Sequence, residues 1–127
     1  KNGIGLMNWF MKQSNNINGY TKSIWTGQTT LQLAKTIEVA AIQKAHGICN
    51  AVPNNHISKY ELLVLLNHYF KNDKININPV DGIIIDKSLV RTNFEFSYEI
   101  PNYEFMVREL SIWTKSHKYL YPHYILE

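Results

Sequence analysis

The sequence predicts a small, helix-rich α/β domain with a few short strands. Three observations predict it. The 127 residues are 45% hydrophobic and 13% aromatic, enough for one compact core and too apolar for a disordered chain. Apolar positions follow the three-and-four spacing of helices in four places, with brief apolar runs between them. The stretch His46 to Phe70, HGICNAVPNNHISKYELLVLLNHYF, reads in order as a helix stop, a buried strand, a polar turn and a new helix.

Ile4 to Gln13 reads as the first helix, with Met7, Phe10 and Met11 on one face and Leu6 and Trp9 beside it. SNNING, Ser14 to Gly19, is rich in turn formers and reads as a loop. Tyr20 to Trp25 reads as a short extended segment. Thr29 with Gln32 three residues on is a Thr/Gln capping box. The helix it opens carries Leu31, Leu33, Ala34, Ile37, Ala40, Ala41 and Ile42, a breadth that predicts cover on more than one side.

Gly47 suits the left-handed residue that ends that helix, and His46 suits the last turn, where exposed carbonyls favour a donor. Ile48, Cys49, Ala51 and Val52 predict a short covered strand, and Pro53, Asn54 and Asn55 a turn. Ser58 and Glu61 match the capping box of the next helix, and Ile57 with Leu62 its hydrophobic staple. Leu62, Leu65, Leu66, Tyr69 and Phe70 mark the buried stripe.

Ile75 and Ile77 alternate with Asn76 and Asn78 in a half-exposed strand pattern that Pro79 ends. Ile83 to Ile85 is a brief apolar run, and Asp86 or Ser88 caps a short helix carrying Leu89, Val90 and Phe94. Pro101 and Asn102 open the last helix, with Glu104 in its first turn and Tyr103, Met106, Leu110 and Trp113 on its apolar face. The aromatic tail HKYLYPHYILE is expected to lie on another surface without regular structure. No repeat or low-complexity linker divides residues 1–127, so they are read as a single domain.

The formal net charge is +3, spread along the chain rather than gathered into the basic stripe of a nucleic-acid surface. No apolar run reaches the length a membrane helix needs. Cys49, the single cysteine, excludes an internal disulfide and fits a reducing, cytoplasmic compartment. Its apolar setting predicts a buried, inert thiol. The five histidines lack the paired spacing of a zinc site, so no metal is expected. Asp81 and Asp86 read as turn and cap residues, and Ser58 as a cap rather than a nucleophile. The chain opens on Lys1 and enters an apolar run almost at once, so it is expected to be a segment of a longer protein.

Four segments in order resemble the C-terminal part of dTDP-4-dehydrorhamnose reductase-like proteins, extended short-chain dehydrogenases/reductases that act on sugar nucleotides. They are GLMNWFMKQ (Gly5 to Gln13), IWTGQTTLQLAKTI (Ile24 to Ile37), HGICNAVPNNHISKYELLVLL (His46 to Leu66), and DKSLVRTNFEF with IPNYEFMVREL (Asp86 to Leu110). The resemblance implies a substrate-binding domain whose short strands complete a larger parallel sheet. The family's glycine-rich dinucleotide turn has no counterpart here, nor does its Tyr-x-x-x-Lys pair. The nucleotide-binding Rossmann domain is therefore expected to be absent from this chain, and with it every catalytic and cofactor-binding residue. NAD(P)H is expected in the full-length protein, and the chain alone is expected to be inactive.

In the family this half closes over the sugar nucleotide, and Lys22 to Thr30 resembles the loop near that cleft. On that basis Trp25, Thr26, Gln28 and Arg91 are the candidate substrate-binding residues. Trp25 reads equally as a stacking platform or as core, and Thr29 reads as a cap. Arg91, one of two arginines, suits a pyrophosphate better than Lys87, which reads as solvated surface. The expected partners are a nucleotide sugar, the missing Rossmann domain and, through apolar surface left uncovered, a second copy of the chain. The alternative is a non-catalytic interaction or regulatory module that uses its amphipathic helices and aromatic tail to dock a partner.

Overall fold

A computed structural model describes residues 4–126. The elements run α1 (Leu6–Met11), β1 (Ile17–Tyr20), β2 (Ser23–Trp25), α2 (Thr30–Ile42), β3 (Ile57–Ser58), α3 (Lys59–Lys71), β4 (Ile77–Val80), β5 (Ile85–Lys87) and α4 (Tyr103–Ser116). A 3₁₀ turn at Lys118–Leu120 follows. This is the helix-rich α/β arrangement with short strands that the sequence predicts.

Two small sheets hold the strands. β1 and β4 pair in parallel, with Ile17 opposite Ile77 and Gly19 opposite Pro79. β2 is the centre of the second sheet, antiparallel to β3 and parallel to β5. Gly19 lets β1 lie directly on α3: a Cβ there would stand 2.9 Å from the Tyr60 Cα. The main core joins Phe10 and Met11 of α1, Ile17 of β1, Leu63, Leu66 and Phe70 of α3, Ile75, and Val107 of α4. A second cluster, Ile57, Ile100, Tyr103 and Met106, packs the start of α4 against the start of α3.

Helix α3 forms where its caps predict. The Ser58 hydroxyl accepts from the Glu61 N–H (3.1 Å), and the Glu61 carboxylate accepts from the Ser58 N–H (2.8 Å). Asn72 ends the helix in the left-handed region (φ 50°), a conformation Asn tolerates. The buried stripe is Leu63, Leu66, Asn67 and Phe70, one step around from the predicted one. Asn67 belongs to it because its amide both donates to the Ile75 carbonyl (2.7 Å) and accepts from the Ile75 N–H (3.2 Å). Asn102 caps α4 as expected, accepting from the Phe105 N–H. The aromatic tail returns to the core, where Tyr124 and Leu126 pack beside α1.

Six expectations are corrected. The loop at Ser14 to Gly19 becomes a strand from Ile17, because pairing with β4 outweighs the turn preference of Asn and Gly. Pro79 lies inside β4, on its edge, where its missing N–H costs no ladder bond. Helix α2 stops at Ile42. Lys44 takes the left-handed turn (φ 55°) ahead of Gly47 (φ 78°), and His46 faces Glu95 (3.4 Å) beyond the helix.

Residues 48–52 form no strand, and Ile48 is almost fully exposed. This segment is tied to 90–93 by side chains instead: the Asn93 amide donates to the Ile48 carbonyl, and the half-buried Cys49 thiol to the Asn93 carbonyl. Residues 88–102 form no helix, since Asp86 lies in β5 and its carboxylate accepts from the Ser88 N–H as a local turn. Helix α2 is not covered on several sides: it buries Gln32 and Thr36 and exposes Leu33, Ile37 and Ile42.

Candidate functional site

The junction between β2 and α2 positions the candidate site. β2 ends at Trp25, the chain turns through Thr26, Gly27 and Gln28, and Thr29 caps α2 by accepting from the Gln32 N–H (3.2 Å). Gly27 is required here. The Trp25 indole folds over its backbone so closely that any Cβ would collide with the ring. The other neighbour of the indole is Tyr103 of α4, its ring 6.2 Å away and tilted by 41°. The Tyr103 hydroxyl accepts from the Gly27 N–H and donates to the Trp25 carbonyl (3.4 Å each), which ties the turn to α4. Burial pushes that hydroxyl above the ordinary phenol range, an effect the Gly27 N–H partly offsets.

A groove of about 540 Å³ opens beside this turn. Its walls are Leu6, Met7 and Asn8 of α1, Trp25 and Gly27 to Leu31 of the turn, Leu62 and Leu66 of α3, the inner side of α4 from Tyr103 to Thr114, and Tyr121 and Tyr124 of the tail. Asn8 holds the tail in place, accepting from the Tyr124 hydroxyl (2.8 Å). Burial also raises the Tyr124 hydroxyl pKa, with the nearby Tyr121 adding to the effect.

The four predicted residues divide into two pairs. Trp25 and Gln28 line the groove. The Gln28 amide donates to the Ala51 carbonyl (2.6 Å) and accepts from the Thr36 hydroxyl (2.7 Å), so it is rigidly held. Thr26 is buried, and its hydroxyl accepts from the Leu89 N–H (2.6 Å). Arg91 lies in a different cleft with Asn54, Phe94 and Phe96. It donates to the Asn93, Phe96 and Tyr98 carbonyls (3.2, 2.5 and 2.7 Å) and stacks against Phe94 and Phe96. Thr26 thus ties Leu89 to the β2–α2 turn, and Arg91 braces residues 91–98 among themselves; neither lines the groove that holds Trp25 and Gln28. Sequence reasoning missed Asn8, Tyr121 and Tyr124 as groove residues; it placed Tyr103 and Trp113 on the apolar face of α4, where Tyr103 is buried in the core and both also line the groove. A density of aromatic residues near the C-terminus was the one available signal.

No carboxylate, histidine, cysteine or lysine is among the groove's described lining residues. Among the described residues no His, Cys, Asp and Glu cluster could hold a metal ion, and no helix is long and apolar enough to cross a membrane. The described residues do not fit a dinucleotide cofactor. The strand–turn–helix unit at β2–α2 has a single glycine, and the Trp25 indole covers the backbone that a pyrophosphate would approach.

No protein-family model and no curated protein matches the chain. Among solved structures it is similar to dTDP-4-dehydrorhamnose reductase from Bacillus anthracis in complex with NADP, at a TM-score of 0.70 and 16% identity. The match covers 85% of this chain and 41% of that one, so the chain spans less than half the length of its structural neighbour. The fold is therefore that of part of a dehydrorhamnose reductase, as the four sequence segments suggest.

Proposed function

We propose that this chain is the sugar-nucleotide-binding part of an NAD(P)H-dependent reductase of the dTDP-4-dehydrorhamnose reductase type. The observation that carries the reading is the fold match over 85% of the chain, with a groove at its centre lined by Trp25 and Gln28. Trp25 offers a face on which a ring can stack, and Gln28 gives one wall a fixed polar edge. Thr26 and Arg91 serve the site indirectly by holding the 89–98 segment. The neighbour was solved with NADP and extends well beyond the matched 41%, which supports placing the cofactor and the proton-transferring groups on a Rossmann domain outside these residues.

In this reading the exposed apolar side of α2, Leu33, Ile37 and Ile42, packs against that domain. The parent is a cytoplasmic enzyme that supplies nucleotide sugars for cell-surface polysaccharide. A second reading, a non-catalytic interaction module, draws on the same apolar side, which would dock a protein or a second copy of the chain. Titration of the chain with a dTDP-sugar, followed by NMR, separates the two. Binding that shifts the Trp25 and Gln28 signals, with no NADPH oxidation by the chain alone, is expected. Failure to bind any nucleotide sugar, or turnover without a further domain, overturns the reductase reading.

A further inference from the structure

We propose that the C-terminal tail, residues 117–126, is a hinged strap that lifts to admit ligand into the groove and returns to close it. The proposal rests on the reading that this groove takes a sugar nucleotide, and adds how the ligand enters. The tail leaves the end of α4 and crosses to α1, where Tyr121 and Tyr124 complete the groove wall. Its base is fixed. His117 departs from helical geometry (φ −120°, ψ 41°), yet its ring stacks on Trp113 at 3.8 Å and 19°. The hinge therefore sits beside a groove residue.

The tip is held by contacts that are easily broken. Two hydrogen bonds reach α1, and both end on the Asn8 Oδ1: from the Tyr124 hydroxyl (2.8 Å) and from His123 Nε2 (3.2 Å). Asn8 presents that oxygen because its side-chain amide donates to the Ile4 carbonyl (2.9 Å). Tyr124 and Leu126 are only partly buried where they pack beside the core, and Tyr119, Leu120 and Ile125 are exposed. The backbone bonds of the tail are local: the Leu120 N–H donates to the His117 carbonyl, Tyr121 to Lys118 and Tyr124 to Tyr121. Tyr121 and Tyr124 also stack on each other, with ring centroids 5.4 Å apart. A segment with so little buried opens without disturbing the rest of the fold, and its internal bonds let it move as a unit.

The test has two arms. In amide hydrogen exchange, Leu120, Tyr121 and Tyr124 are expected to share one rate, well ahead of Leu66 and Phe70 in α3. That rate is expected to rise about fivefold in Asn8→Ala, the scale of a lost neutral hydrogen bond, with α3 unchanged. Stopped-flow mixing with dTDP-glucose, followed by tryptophan fluorescence, then reads passage into the groove. Ligand passes only when the strap is up, so Asn8→Ala is expected to raise the association and dissociation rates by a similar factor and leave Kd nearly unchanged. Tyr124→Phe, which keeps the ring and removes one bond, is expected to raise both about twofold. A fixed wall would raise the dissociation rate alone, because lost contacts weaken a complex without easing entry. That result, unchanged rates, or tail amides exchanging no faster than those of α3 overturns the strap. If dTDP-glucose binds neither the chain nor its variants, the sugar-nucleotide reading falls, and the exchange rates alone decide whether the tail opens.

Discussion

Helices α2 and α3 are each thirteen residues long, each opens on a hydroxyl cap, and each carries a run of aliphatic side chains. They are used in opposite ways. α3 turns Leu63, Leu66 and Phe70 into the core and leaves Glu61 and His68 outside. α2 turns Gln32 and Thr36 inward and leaves Leu33, Ile37 and Ile42 in solvent. The polar residues that α2 buries are satisfied: Gln32 donates to the Tyr98 hydroxyl (2.8 Å), and Thr36 to Gln28 (2.7 Å). On the outer edge Lys35 pairs with Glu109 of α4. Cap chemistry makes a helix in both cases. The direction each faces depends on what the rest of the chain packs against it.

The comparison is broken most sharply in the core. Phe70→Ala should cost about 3–5 kcal/mol in denaturant unfolding, because it empties a fully buried site. A loss no larger than that of an α2 surface change would mean that α3 is not the centre of the domain. Gln32→Leu should cost roughly 1–3 kcal/mol, by stranding the Tyr98 hydroxyl and the polar groups around Thr36. A neutral or stabilising result would show the inward side of α2 to be ready for an apolar partner after all.

The caps sharpen the contrast on a smaller scale. Ser58→Ala should lower stability by about 1 kcal/mol, and Thr29→Ala by less. The Ser58 box is reciprocal, whereas the Gln32 side chain turns away to Tyr98 and Thr36 and leaves Thr29 with half a box. Equal losses in thermal melts would refute that ordering.

Acid titration probes the same cap. Hydrogen bonds from the Ser58 hydroxyl and N–H hold the Glu61 carboxyl below its usual range. Its contribution is therefore present above the unfolded-state carboxylate pKa and is lost as pH falls through the lower folded value. Stability should decline on acidification, with a shallower slope in Ser58→Ala. Unchanged slopes in the two proteins would remove Glu61 from the account. The smallest effect should be Ile37→Ser on α2, within about 0.5 kcal/mol, because its side chain is already exposed. If the chain self-associates through this side, light scattering should show the same substitution returning it to monomer.

Legibility differed by segment for physical reasons. The caps of α2, α3 and α4 could be read because each is settled within four residues by a side chain and its nearest N–H groups. The parallel pairing of β1 with β4 could not, since it joins segments 60 residues apart in sequence (Ile17 to Ile77) and overrides the local turn preference of SNNING. Residues 48–52 were misread for the converse reason. Their apolar run suits a strand, but the neighbouring segment meets them through Asn93 and not through a backbone ladder.

Of the candidate residues, Trp25 and Gln28 were named from the resemblance of Lys22 to Thr30 to a cleft loop, and the two do line one groove. Arg91 was placed with them by its charge alone, and charge does not say which carbonyls a guanidinium will find. The sequence by itself thus determined where the capped helices begin and which aromatic and aliphatic residues were available for a core. Only the tertiary structure decided which side of α2 faces inward, that Tyr103, Trp113, Tyr121 and Tyr124 share one groove with Trp25, and that Arg91 is kept out of it. The first set of facts depends on contacts a few residues long; the second depends on distances across the folded chain, which no short window of sequence contains.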